Sequence, residues 1–231
     1  MKPVVLGISG LVLTGPEAEL FRAHPPAGII LFGRNIKDPT QLARLIADLR
    51  AVLSSDAAIM VDQEGGRVAR LRPPHWAAHP AVGLIGRLWL TAPGRAERAA
   101  WLHGAAIGAE CRAAGFDMVA APVLDLAVAG QNEAVVGDRS FGADPQAVAA
   151  LGRAMADGLR AAGTIPIAKH VPGHGRAQVD SHHALPVVQA IGRTWEQDRE
   201  PFRVLATSFD CMMTAHILYQ GVDDDLPATL S

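Results

Sequence analysis

Along almost the whole chain, short apolar runs of β-type residues alternate with longer stretches whose apolar positions recur at helical spacing. Six runs read as strands: 4–8, 28–32, 58–62, 118–124, 165–169 and 212–216. Between the second and third, 40–53 reads as a helix. Leu42, Leu45, Ile46 and Leu49 share one face there, and Asp38-Pro39 opens it. The span 95–114 has the same pattern. Asp144-Pro145 supplies a cap and a first-turn proline for a helix running to about residue 162. A last helix is expected over 198–208, which would put Pro201 in the first turn, where amides have no intrahelical acceptor. The span 72–93 reads as a long decorated loop.

Strand–helix alternation of this kind builds a parallel sheet wrapped by helices. Polar residues fall where strands end: Gly33-Arg34-Asn35, the run from Asp62 to Arg67, Asp125, Lys169-His170 and His216. In a closed parallel barrel all those ends open onto one face, which carries the chemistry. A doubly wound dinucleotide-binding sheet would show a glycine-rich phosphate turn after its first strand, and Gly7-Ile8-Ser9-Gly10 is too sparse for one. The expected class is therefore α/β, a TIM-type (β/α)8 barrel with about six βα units, in one domain over 1–231.

Composition removes some classes of function. A net charge of −2 leaves no basic footprint for nucleic acid. The apolar opening of the chain is interrupted by Gly7, Ser9 and Gly10 and is too short to span a bilayer, so it reads as the first strand. No membrane association and a cytoplasmic location are expected. Cys111 and Cys211 lack metal or redox spacing and read as separate apolar residues in a reducing compartment.

The densest chemistry is the run from Lys169 to Gly175, followed by Asp180-Ser181-His182. It holds a lysine, an aspartate and the histidines His170, His174 and His182, with Pro172-Gly173 preventing a shared helix. Such a mixture is costly in a core and reads as an active-site loop. A helix-borne zinc pair at His170 and His174 would need the continuous helix that Pro172-Gly173 removes. No metal or cofactor is expected. His174, between glycines, reads as a structural loop residue, His183 as a solvated neighbour, and Asp223-Asp224-Asp225 as an acidic turn.

Four motifs carry a resemblance: Asp62-Gln63-Glu64-Gly65-Gly66-Arg67-Val68, Gly137-Asp138-Arg139-Ser140-Phe141-Gly142, the Lys169–Gly175 run, and Asp180-Ser181-His182. Together they resemble the family-3 glycoside hydrolases, and within them the bacterial N-acetylglucosaminidase branch. The likeness extends to Leu226-Pro227-Ala228-Thr229. It implies a small-molecule sugar substrate and release of terminal, non-reducing, β-linked N-acetylglucosamine from peptidoglycan turnover fragments, especially those carrying anhydro-N-acetylmuramic acid. By the same resemblance His182 would protonate the leaving oxygen and later deprotonate water, with Asp180 orienting its imidazole. Asp62, Arg139, Lys169 and His170 would grip the sugar, and Arg70 matches that group less distinctively. Histidine suits a proton shuttle because its pKa lies near the operating pH.

One departure stands out. The family's nucleophilic aspartate ends a seventh strand beyond the Leu-Pro-Ala-Thr segment, and no aspartate here matches its context. The chain is therefore expected to lack strands seven and eight and to leave two barrel edges open. It would be either part of a longer hydrolase or a shortened sugar-binding remnant. Water against phosphate as the acceptor, peptide-stem preference and oligomeric state stay open.

Overall fold

A computed structural model describes residues 1–130, 133–179 and 184–231. Six strands, β1 (Lys2–Gly7), β2 (Pro26–Leu31), β3 (Ala58–Val61), β4 (Met118–Val119), β5 (Ile165–Val171) and β6 (Cys211–Thr214), form one sheet in chain order, parallel throughout. Six helices accompany them: α1 (Gly15–Ala23), α2 (Pro39–Val52), α3 (Val82–Trp89), α4 (Pro93–Ala113), α5 (Pro145–Ala161) and α6 (Gly192–Val204). This is the curled parallel sheet of a TIM-like barrel, open between β1 and β6 among the described residues. Two short ribbons flank it, an antiparallel one of Gln63–Gly65 with Val68–Ala69 and a parallel one of Val187–Gln189 with Leu218–Gln220.

Strand alternation sorts the core into two layers. Ile29, Leu31, Ile59 and Val61 are fully buried beneath the helices, packed with Leu42, Leu45 and Leu49 of α2. Ile30, Met60, Met118, Ala120, Ile167, Cys211 and Met213 fill the concave side. The α2 start is as expected: Asp38 accepts a hydrogen bond from Gln41 N at 2.8 Å, with Pro39 in the first turn. Asp144 caps α5 through Gln146 N at 3.0 Å.

Three expectations are corrected. The fourth strand stops at Val119 instead of running to 124, because Pro122 has no N–H for the ladder. Irregular bonds hold that segment against β5 instead, with Leu124 N donating to Lys169 O at 2.7 Å. The span 72–93 is not all loop but contains α3. The glycines that weaken its helical signal are used for close packing, and a Cβ on Gly86 would lie 1.6 Å from Phe141 O. The last helix begins at Gly192 and ends at Val204, so Pro201 sits near its end, not in its first turn. Smaller shifts move the first strand to Lys2–Gly7 and leave His216 two residues beyond β6. No helix among the described residues is long and apolar enough to cross a membrane.

Candidate active site

The carboxyl ends of the strands deliver an alternating chain of charge. Asp62 follows β3 directly, Glu64 lies in the ribbon after it, Lys169 and His170 are on β5, and Arg139 closes a single 3-10 turn over Gly137–Arg139. Arg70 Nη2 contacts Asp62 Oδ2 at 3.1 Å, and Asp62 Oδ1 contacts Lys169 Nζ at 2.9 Å. The same ammonium lies 2.6 Å from Glu64 Oε1. Arg139 then binds Glu64 with two parallel bonds of 2.8 Å, Nε to Oε2 and Nη2 to Oε1. Lys169 and Glu64 are each only 2% exposed. Charges so buried persist only when paired this completely.

Electrostatics fix their protonation. Burial pushes the Asp62 carboxyl up, but Lys169 and Arg70 outweigh it and hold the group down at about 2. Burial opposes ionisation of Glu64 as well, and Lys169 and Arg139 still hold it below the usual carboxylate range. The Arg139 guanidinium keeps its proton more firmly than usual because its bond to Glu64 offsets its own burial. At neutral pH both carboxylates are anions.

A second group lies beside this chain. Asp125 is completely buried and accepts from His174 N at 2.7 Å, His170 N at 3.2 Å and His170 Nδ1 at 2.6 Å. Burial opposes its charge, but the His170 imidazole and these donors keep its pKa low. An ionised Asp125 assigns the proton to His170 Nδ1 and leaves Nε2 as the nitrogen free of this bond. The His174 ring meets His170 edge-on at 5.6 Å, and burial holds it towards its neutral form. Below, Tyr219 Oη donates to Gly173 O at 2.8 Å and Arg176 Nε pairs with Asp198 Oδ2 at 2.6 Å, anchoring the base of the histidine loop.

Asp62, Arg70, Arg139, Lys169 and His170 all line one cavity of about 530 Å³, with Glu64, His174 and His216 among the other walls. Two residues assigned no individual role from sequence belong here, Glu64 as a cavity wall and Asp125 behind His170. Glu64 stood inside a quoted motif and Asp125 at a strand end, but the partners that hold them are distant in sequence. Asp180 and His182 lie outside the described residues, as does His183. Asp223 and Asp224 accept from backbone amides of their own turn, as expected of a solvated acidic turn.

Residues 13–231 match the model of the glycosyl hydrolase family 3 N terminal domain. The chain belongs to that family. A β-hexosaminidase of Bordetella avium is 38% identical over 231 residues, covering 99% of this chain and 65% of the relative. One from Nitrosospira multiformis is 39% identical with the same coverage. The chain thus spans about 65% of the length of these curated relatives. Native NagZ from Neisseria gonorrhoeae superposes with a TM-score of 0.91 at 37% identity, over 99% of this chain and 66% of that one. The same Neisseria protein has been solved with N-trifluoroacetyl-D-glucosamine bound.

Proposed function

We propose that this family-3 chain is the sugar-gripping part of a cytoplasmic β-N-acetylhexosaminidase that releases terminal, non-reducing N-acetylglucosamine from peptidoglycan turnover fragments. The relatives named β-hexosaminidase, and the amino-sugar analogue bound by the Neisseria protein, support the substrate class. In this reading Asp62, Arg70, Arg139, Lys169 and His170 bind the sugar hydroxyls and amide, because hydrogen bonds to charged groups are stronger than neutral ones. Glu64 orders Lys169 and Arg139 between them.

The observation that carries the mechanism is the pairing of both cavity carboxylates with cations, Asp62 with Arg70 and Lys169, Glu64 with Lys169 and Arg139. A retaining glycosidase needs a group that gives a proton to the leaving oxygen. Asp62, with its pKa near 2, holds no proton at neutral pH, and Glu64 is depressed in the same sense by Lys169 and Arg139. Neither can act as the acid, which favours a histidine donor. The proposal gives that role to His182, oriented by Asp180. The proposal assigns the attack to an aspartate outside these 231 residues. That aspartate displaces the leaving sugar to form a glycosyl ester, and water activated by His182 then hydrolyses the ester.

The test is leaving-group dependence in the full-length enzyme. His182→Ala should cut turnover of natural disaccharides by about 10²–10⁴-fold and spare aryl glycosides whose leaving groups need no proton. Equal losses on both substrates would refute the acid/base assignment.

A further inference from the structure

The ribbon that carries Glu64 is supported from behind by α4, through a histidine that does not line the cavity. His103 is 7% exposed, and its ring Nε2 lies 3.0 Å from the main-chain oxygen of Glu64. A carbonyl oxygen only accepts, so Nε2 carries the proton of this bond. Burial lowers the pKa of His103, although the bond to Glu64 acts in the opposite direction. The ring is thereby held towards its neutral form, with the proton on Nε2.

The turn after Glu64 passes through a narrow gap. Gly65 has a φ of +95°, and a Cβ there would lie 2.3 Å from Pro80 O and 2.9 Å from His103 Cε1. A Cβ on Gly66 would lie 2.7 Å from Ala81 Cβ, and Gly66 N donates to His79 O at 2.8 Å. The two glycines of the Asp62–Val68 motif therefore let the main chain run between His103 and residues 79–81. That outer segment is itself tied to α4. Glu110, about two turns beyond His103, accepts from Ala77 N at 2.9 Å and meets His79 Nε2 at 3.1 Å. The helix is seated on α5 in turn, where a Cβ on Gly104 would lie 2.0 Å from Met155 O.

Position matters at Glu64. Its carboxylate meets Lys169 at 2.6 Å and Arg139 through two bonds of 2.8 Å. Such a constellation tolerates a shift of no more than about 0.5 Å. We propose that His103 is a positioning residue of the sugar site: through the Glu64 carbonyl it holds in place the carboxylate that orders Lys169 and Arg139. The inference rests on the sugar-binding reading above and extends it to a residue outside the cavity.

N-acetylglucosamine is titrated into the 231-residue chain and its variants, with folding followed by circular dichroism. His103→Leu removes the donor and should weaken binding about fivefold, the scale of one hydrogen bond. His103→Gln carries an amide N–H at the reach of Nε2 and should recover most of the affinity. If the leucine variant does not fold, His103→Asn takes its place. Its shorter amide ends near the position of Nδ1, so it should bind as weakly. In a Glu64→Ala background the same change at His103 should cost less than about twofold, because the group it positions is gone. A histidine that only supports the fold would lower the denaturation midpoint without this dependence on Glu64. Unaltered affinity in the variant lacking the donor would overturn the proposal. So would a loss that His103→Gln does not recover, or one that persists in full beside Glu64→Ala. Failure of the folded wild type to bind at all would instead sink the sugar-site reading, and the role of His103 with it.

Discussion

At the scale of residues, Lys169 is the hub of the account. Among the described residues its ammonium is the one cation that touches both Asp62 and Glu64, at 2.9 and 2.6 Å. Replacing it with methionine keeps most of the volume but strands two buried carboxylates. Lys169→Met should cost about 3–5 kcal/mol, the usual penalty for breaking a buried pair, read from urea unfolding. A loss within experimental error would mean the charges are better hydrated than their burial indicates. Acid dependence follows from the same chain. The Asp62 carboxyl has a folded pKa of about 2 against an ordinary 3.8, so it favours the folded state whenever it is ionised. Its contribution, on the order of 2 kcal/mol, is fully present above about pH 4 and is lost as the pH falls towards 2. Glu64 and Asp125, also depressed, act in the same direction, whereas burial raises Asp198 and makes its contribution opposite in sign. Asp62→Asn should therefore flatten stability between pH 4 and pH 2. An unchanged slope would remove Asp62 from the acid response. Of the residues proposed to bind the sugar, all but Arg70 stand in the motifs that carry the resemblance, and the structure brings all five to one cavity. Glu64 and Asp125 were not singled out, because a buried anion is recognised by its partners, and theirs arrive from other strands.

At the scale of elements, close backbone approach shapes the helical layer. A Cβ on Gly158 of α5 would lie 2.1 Å from Trp101 O of α4, so the helices meet there without room for a side chain. Gly158→Ala improves intrinsic helix propensity by up to about 1 kcal/mol. The clash should outweigh that gain and leave a net loss of about 1–3 kcal/mol, measured as a lower denaturation midpoint. A stabilised variant would show that the two helices can part without cost. The same close packing explains the missed helix: α3 carries Gly83 and Gly86, so local propensity argued for a loop while tertiary contact made a helix. In α6 the proline misled in another way, because Pro201 looked like a beginning and is tolerated near the end. α1 carries a capping box, Thr14 with Glu17, that was readable in the sequence and passed over.

At the scale of the whole molecule, strand–helix alternation and polar strand ends were enough to indicate the barrel, because both arise from a periodicity repeated along the chain. The structure gives the sheet two outer edges, β1 and β6. Val4 and Val5 on β1 are 43% and 49% exposed, next to unpaired backbone donors and acceptors. The 231-residue chain should therefore self-associate in a concentration-dependent way by light scattering. A monodisperse monomer with a single cooperative melt would contradict that expectation.

The charge chain from Arg70 to Arg139 is proposed as a site for an N-acetylated sugar. Titration of N-acetylglucosamine into the 231-residue chain, beside Asp62→Ala, tests it most directly. The wild type should bind saturably and the variant should not, with the fold retained by circular dichroism. Binding unaffected by Asp62→Ala, or no binding by a folded wild type, would contradict it.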